Sequence, residues 1–276
     1  MTEPMIRSKN GVIGLVPAAG QAKRIAPLPM SKELFPIGFQ VMEGEQTPRP
    51  KVVSHYLLEK FRNAGIAKTF IVIREGKWDI PAYFGDGALV HMHLGYLMVR
   101  ESFGPPFTLD QAYPFVCNKL VAFGFPDIMF SPQDVFNQLL DYQETNQSDV
   151  VLALFPAHDP QIMDMVDIDK NGKVRTMLFK PSNTDLRFAW LCGVWTPVFT
   201  HFMHDYLQTY LRENCPQNVK EDGLEQEDLT VGAVLQAAIK KGLNVHGVTF
   251  PYGKYIDIGT PEGLVKSVEL FGCHSS

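Results

Sequence analysis

Hydrophobic residues in the first half of the chain form short continuous runs separated by amphipathic segments. The runs, which predict buried strands, lie at residues 11–17, 69–73, 120–123 and 149–155. Apolar residues recur at helical spacing over residues 51–64 and 132–145, and Gly65 is typical of a helix end. Strands that alternate with helices of this length predict a mainly parallel sheet covered by helices.

The second half of the chain changes pattern. A turn at residues 170–173 separates two apolar segments, 165–169 and 174–179, which predicts an antiparallel hairpin. Further helices are predicted at residues 199–212 and 230–241, a strand at 245–250 and a polar surface loop at 214–227. The whole pattern predicts an α/β fold of Rossmann-like type, with three layers (α/β/α) and a mixed, predominantly parallel sheet.

Composition narrows the class of protein. With 276 residues, 45% of them hydrophobic, the chain can bury the core of one domain. A net charge of −5 argues against a nucleic acid as partner. The cysteines form no C-x-x-C pair, so they indicate neither a zinc site nor a disulfide framework. They are Cys117, Cys192, Cys215 and Cys273. Residues 1–10 lack an apolar leader and no membrane-length apolar run occurs, so we expect a cytoplasmic protein without a membrane partner.

The first predicted strand runs into a loop of small residues followed by cations. The loop, whose backbone N–H groups could approach phosphates, comprises Ala18, Ala19, Gly20, Gln21 and Ala22. Lys23, Arg24 and Lys32 follow it. Ligands of open α/β sheets bind at the carboxyl ends of the strands, so this segment is a candidate triphosphate site. The alternative is an ordinary glycine turn with surface cations, which many α/β proteins contain.

The segment resembles the opening motif of the sugar-1-phosphate nucleotidyltransferases, the family of glucose-1-phosphate thymidylyltransferases and uridylyltransferases (NDP-sugar pyrophosphorylases). Their motif is A-G-x-G-x-R with a later P-K-x-L-x-P, and the matching residues here are Ala19, Gly20, Arg24, Pro27, Lys32, Leu34 and Pro36. The resemblance runs from residue 11 to about residue 267. It implies the nucleotide-diphospho-sugar transferase fold in one domain, 1–276, with a nucleotide-binding half at 11–150 and a sugar-phosphate-binding half at 151–267.

Two further segments each contribute an aspartate. The segments VAFGFPDIM and YIDIGTPE carry Asp127 and Asp257, and they resemble family motifs whose aspartates bind a divalent metal. The resemblance thus implies that Asp127 and Asp257 are ligands of Mg²⁺, which accepts carboxylate oxygens and keeps positions for phosphate and water. Arg24 and Lys32 would stabilise the charge that develops on the α-phosphate. An isolated aspartate of this kind can also be a turn or cap residue.

Other short segments resemble the parts of the family that contact the substrates. Phe179-Lys180-Pro181 resembles E-K-P, which implies that Lys180 binds the sugar phosphate. Residues 192–195, CGVW, resemble the family's T-G-L-Y, and residues 228–230, DLT, resemble its E-I-T. This resemblance implies that Gly193 and Asp228 lie beside the sugar. Residues 108–112, TLDQA, resemble G-L-A-Q-A, which implies that Gln111 reads thymine or uracil. An amide suits this role because it can both donate to and accept from a pyrimidine imide.

The sequence therefore predicts a Mg²⁺-dependent nucleotidyltransferase that joins dTTP or UTP to a sugar 1-phosphate and releases pyrophosphate. A cytidylyltransferase acting on a sugar or alcohol phosphate is the catalytic alternative. Departures from the family pattern at Ala22, Pro126, Met165 and Phe179 keep open a non-catalytic relative that binds a nucleotide sugar. A dinucleotide-dependent oxidoreductase is disfavoured because the chain has no G-x-G-x-x-G. By likeness to the family, a homo-oligomer is expected.

Overall fold

The computed structural model describes residues 11–41, 44, 46–100, 102–214 and 228–272. Cys215, Cys273 and residues 215–227 of the predicted surface loop lie outside this description. In the described part, no helix is long and apolar enough to cross a membrane.

The elements are numbered here in chain order. Strands β1 to β13 comprise Val12–Pro17, Pro36–Val41, Pro48–Val52, Lys68–Arg74, His93–Val99, Leu120–Gly124, Ile128–Ser131, Val150–Pro156, Asp164–Ile168, Val174–Phe179, Phe188–Trp195, Val245–Thr249 and Lys254–Asp257. Helices α1 to α8 comprise Val53–Asn63, Asp79–Phe84, Pro105–Asp110, Tyr113–Val116, Val135–Asn146, Pro197–Asn214, Val231–Lys240 and Pro261–Gly272. A short 3₁₀ turn, Lys32–Leu34, precedes β2.

A nine-stranded mixed sheet forms the centre of the described structure, with strand order β10-β9-β11-β6-β1-β4-β5 and with β8 joining β11 to β12. Strands β6, β1, β4 and β5 run parallel, whereas β11 pairs antiparallel to β6, β8 and β9. The predicted fold class is confirmed. Because the parallel strands β1, β4, β5 and β6 all end at the same edge, the loops that follow them meet there.

Helices cover both faces of this sheet, and each face has its own hydrophobic core. Neighbouring residues of β1 show the division: Val16 belongs to the core that contains Phe61 of α1, and Leu15 to the core that contains Phe199 of α6. The side chains of Leu15, Phe61 and Phe199 are each at most 1% exposed. The alternation follows from the strand period of two, which sends successive side chains to opposite faces.

The predicted helix starts differ from the observed ones by one to three residues, and α6 begins at Pro197 instead of Phe199 and α7 at Val231 instead of Thr230. Helix α1 begins at Val53 instead of Lys51, because Val52 is the last residue of β3 and pairs with Pro36 in β2. Helix α5 begins at Val135 instead of Pro132, which directly follows the end of β7. The predicted hairpin at β9 and β10 is confirmed. Two ribbons outside the main sheet, β2–β3 and β7–β13, were not predicted.

His55 of α1 is a buried titratable group in the core between α1 and α2. Its side chain is 1% exposed, its ring lies against Phe84 at 5.2 Å between centroids, and its Nδ1 lies 3.2 Å from Gln40 Oε1. Nε2 has no hydrogen-bond partner among the described residues. Burial lowers the pKa of His55 from 6.5 to about 4, so the folded protein keeps the ring neutral.

Acid should therefore destabilise the fold through His55. The unfolded chain binds a proton at His55 near pH 6.5 and the folded chain only near pH 4, so stability falls as the pH drops across this window. The loss should reach about 3 kcal/mol. Urea unfolding at several pH values should show a smaller acid loss for His55→Phe, which keeps an aromatic ring. The exposed His93→Asn variant is the control, and an unchanged pH slope in His55→Phe would contradict the assignment.

Candidate functional site

A cleft of about 870 Å³ lies at the carboxyl edge of the parallel strands. Its walls come from the loops that follow β1, β4, β5 and β6, together with the end of β13. The predicted site residues that line it are Ala19, Gly20, Gln21, Ala22, Lys23, Arg24, Lys32, Asp127, Asp228 and Asp257. Residues far apart in sequence thus meet because their strands end at one edge.

The loop after β1 lies over the end of the neighbouring strand β4. The backbone N–H of Ala18 donates to the carbonyl oxygen of Val72 at 2.7 Å, which buries Ala18 beneath the cleft while Ala19 to Lys23 line it. Ala22 adopts a left-handed φ of 54°, which favours glycine. A non-glycine residue in this region stores about 1 to 2 kcal/mol of backbone strain. The loop thus keeps the backbone shape of a glycine at a position that carries alanine.

Asp127 and Asp257 are brought together by the β7–β13 ribbon. Asp257 pairs with Ile128 in the ribbon, and the N–H of Ile258 donates to the carbonyl oxygen of Asp127 at 3.0 Å. A Cβ atom placed on Gly259 would lie 2.9 Å from Asp257 Oδ1 and 3.0 Å from Asp127 Oδ2. Both carboxylates therefore face one small space, which stays open because residue 259 is glycine.

Two cations face these carboxylates. Lys32 Nζ donates to Asp127 Oδ2 at 2.5 Å, and Arg24 Nη2 lies 3.9 Å from Asp257 Oδ2. Burial alone would lower the pKa of Lys32, but the charges of Asp127 and Glu33 outweigh it, so the pKa of Lys32 is raised and its ammonium stays charged. Arg24 is mostly exposed, with 64% of its side chain accessible, and so it can turn toward a ligand in the cleft.

Asp257 lies in surroundings that disfavour the charged form of its carboxyl group. Burial raises the pKa of Asp257, and the nearby charge of Asp127 raises it further, whereas Arg24 and Lys32 only partly offset these effects. A carboxylate pair in this situation fits a divalent cation. Among the described residues, no group of three His, Cys, Asp or Glu side chains could hold a metal ion. Two carboxylates without a third protein ligand suit Mg²⁺, which fills its remaining positions with water and phosphate oxygens.

Three predicted substrate contacts lie outside this cleft. Gln111 is exposed just beyond α3, where its amide donates to the carbonyl oxygen of Phe107 at 3.4 Å, and Thr108 lines the cleft instead. Gly193 lies within β11, where a Cβ would approach Val151 O to 2.9 Å, so strand packing accounts for the glycine. Lys180 is exposed after β10 with a left-handed φ of 41°.

Lys180 nevertheless lies near a half-buried carboxyl group in the second half of the chain. Its N–H donates to the carbonyl oxygen of Met163 at 3.1 Å, which places it beside β9. Burial raises the pKa of Asp164 in β9, while the charge of Lys180 and a hydrogen bond from Trp190 act in the opposite direction. This group lies beside the cleft wall, because the ring of Trp190 lies 6.1 Å from the ring of Phe125, which lines the cleft.

Several cleft residues were not predicted from the sequence. Arg74 ends β4 and Arg100 directly follows β5, and both line the cleft with Ser102 and Phe103. Neither guanidinium has an ion-pair partner in the described part of the chain. Their place directly at strand ends is the signal that could have revealed them, because the strands of this sheet end at the binding edge.

Comparison with known proteins gives few relatives by sequence and many by structure. No family model matches the chain. A low-salt glycan biosynthesis nucleotidyltransferase of Haloferax volcanii is 20% identical over 265 residues, which cover 93% of the chain. The chain spans 65% of the length of this relative.

Two solved structures match this chain over nearly its whole length. A candidate glucose-1-phosphate thymidylyltransferase of Bacillus anthracis, solved with sucrose, has a TM-score of 0.74 and 17% identity over 96% of this chain and 97% of its own. A UDP-glucose pyrophosphorylase solved with UDP-glucose has a TM-score of 0.74 and 17% identity over 94% and 98%. The fold is therefore that of the sugar-1-phosphate nucleotidyltransferases, as the motif resemblance implied.

Gly104 at the lip of the cleft offers a test of this architecture. Gly104 has a φ of 121° and a ψ of 172°. A Cβ atom on it would overlap the carbonyl oxygen of Leu229. Leu229 is held in place because its N–H donates to the carbonyl oxygen of Phe103 at 2.8 Å. Gly104→Ala should lower the free energy of unfolding by about 3 kcal/mol or more, because strain and overlap add. Gly242→Ala is the control, since its φ of 93° is also left-handed but nothing lies within 4 Å, and it should cost about 1 kcal/mol. Equal losses in urea unfolding would show that the Leu229 contact is not tight.

Proposed function

We propose that the protein is a Mg²⁺-dependent nucleotidyltransferase that joins a nucleoside triphosphate to a sugar 1-phosphate and releases pyrophosphate. The observation that carries this proposal is the convergence of Asp127, Asp257, Lys32 and Arg24 beside the loop after β1. Two carboxylates and two cations around one space match a reaction in which charge moves between phosphate oxygens.

The reaction requires positioning more than covalent chemistry by the protein. An oxygen of the sugar phosphate attacks the α-phosphorus, the bond from the α-phosphorus to the bridging oxygen of the β-phosphate breaks, and pyrophosphate leaves with that oxygen. Backbone N–H groups of residues 19–23 would hold the triphosphate, and Arg24 and Lys32 would stabilise charge on the α-phosphate. Asp127 and Asp257 would hold Mg²⁺, which when bound supplies a Lewis acid to the phosphate oxygens.

The acceptor would bind on the side of the cleft formed by the second half of the chain. Asp228 lines the cleft near Leu229, and Lys180 lies beyond Trp190 next to the half-buried carboxyl of Asp164. We propose that Lys180 binds the phosphate of the sugar 1-phosphate and that Asp228 and Gly193 lie on the sugar side. Lys180 would need to turn toward the cleft, which its exposed side chain permits.

UTP and dTTP are the favoured nucleotides. The UDP-glucose pyrophosphorylase and the thymidylyltransferase among the structural neighbours support this choice. Because Gln111 lies outside the cleft, direct contact with the base falls to the residues that line it near Thr108 and Ser102. The Ser102 hydroxyl donates to the carbonyl oxygen of Gly104 at 2.7 Å and lies 2.9 Å from the Thr108 hydroxyl, so a hydrogen bond donated to the base would replace one of these bonds.

The proposal is tested by pyrophosphate release. Each of the four ribonucleoside triphosphates and dTTP is paired with a panel of sugar 1-phosphates in the presence of Mg²⁺. We expect release with UTP or dTTP and one sugar phosphate. The double variant Asp127→Asn/Asp257→Asn should lose at least a hundredfold in kcat, because it removes both metal-binding charges.

The exposed Asp205→Asn variant of α6 is the matched control and should keep wild-type turnover. Turnover that survives the double substitution would overturn the metal assignment. Silence across the whole panel, with nucleotide sugars still bound in calorimetry, would identify the protein as a non-catalytic binding relative. Release with CTP alone would identify a cytidylyltransferase.

A further inference from the structure

We propose that Lys77, which lies between β4 and α2, and Asp79, the first residue of α2, are positioning residues that clamp the turn carrying Lys32. The inference rests on the proposed function, because it assigns these residues to the step that Lys32 assists. Neither residue contacts the carboxylate pair. They hold Ser31 and Glu33, the two chain neighbours of Lys32.

The first half of the clamp joins Ser31 to Asp79. The N–H of Ser31 donates to Asp79 Oδ2 at 2.7 Å, and its hydroxyl donates to Asp79 Oδ1 at 2.7 Å. One carboxylate therefore binds both the backbone and the side chain of Ser31. Proline at this position, which the family pattern contains, would have neither donor. Ser31 thus makes possible a contact that a chain with proline cannot form.

The second half of the clamp joins Glu33 to Lys77. Lys77 Nζ donates to both carboxylate oxygens of Glu33, at 2.7 and 2.8 Å. Both residues are nearly inaccessible, with Glu33 2% and Lys77 8% exposed. Breaking a buried pair of this kind leaves an uncompensated charge, so the contact is hard to open once the fold has formed.

The two contacts together restrict the turn from both sides of Lys32. The 3₁₀ turn Lys32–Leu34 is a single turn, and no side chain caps it. A single turn without a cap has little stability of its own, and a lysine carries a flexible four-carbon chain. With its neighbours fixed, Lys32 needs to order only its side chain to reach Asp127 and a phosphate. Groups fixed before the reaction assist it without reorganisation, which is how remote contacts raise kcat.

The experiment compares Asp79→Ala and Ser31→Pro with Ser31→Ala, which keeps the N–H donor. We expect kcat to fall tenfold or more in Asp79→Ala and Ser31→Pro and less than threefold in Ser31→Ala, with KM for the nucleotide little changed. Asp79→Asn, which keeps one acceptor oxygen, should recover part of the activity. Asp79→Ala is then combined with Lys32→Met. If Asp79 acts through Lys32, it should change the residual kcat of the Lys32→Met enzyme less than twofold.

The proposal would be overturned if Asp79→Ala lowered kcat by the same factor in the wild-type enzyme and in the Lys32→Met enzyme, because a general structural role acts independently of Lys32. A second measurement works without turnover. Acetic anhydride labelling of the ligand-free protein, read by peptide mass spectrometry, should modify Lys32 several-fold faster in Asp79→Ala than in wild type. The exposed Lys68 serves as the internal reference. Unchanged labelling would overturn the clamp, whereas faster labelling in a protein without turnover would retain the clamp and reject the proposed function.

Discussion

Two carboxylates held close together in a partly buried place set the conditions for the whole cleft. The β7–β13 ribbon fixes Asp127 and Asp257 through backbone pairing, so their repulsion cannot be relieved by moving apart. Lys32 compensates Asp127 directly, and Arg24 lies near Asp257. Burial, and after it the charge of Asp127, raises the pKa of Asp257, so the charged form of this carboxyl group is disfavoured. The same charge pattern that costs stability in the free protein would favour a cation and phosphates in the cleft.

The sequence predicted most strands of the central sheet, though not β5 or β11, because many of them carry a direct signal. Strands buried on both faces tend to be continuously apolar, as β1, β8 and residues 70–73 of β4 are. The β2–β3 ribbon carries no such signal, because β3 contains Pro48 and Pro50 and most of its residues are exposed. Its pairing with β2 also decided where α1 starts. Long-range pairing of this kind is invisible to local periodicity, which explains the shifted boundary.

The site was predicted in part. Motif residues of the loop after β1 and the two aspartates line one cleft as expected, although the β7–β13 ribbon that brings Asp127 and Asp257 together was not predicted. Gln111 and Gly193 do not reach the cleft, since motif spacing does not specify the direction of a side chain. Arg74 and Arg100 belong to no motif, and the structure shows that they line the cleft. The clamp of Ser31 by Asp79 joins residues 48 positions apart, which no local pattern could reveal.

The position of β11 has a consequence for motion. This strand, from the half assigned to the sugar phosphate, lies between β6 of the nucleotide half and strands β8 and β9. A hinge between the halves would have to break the hydrogen bonds between β6 and β11, which lie under the cleft. Movement of the two halves against each other would therefore cost hydrogen bonds of the sheet, whereas the loops that follow the parallel strands can move without breaking it.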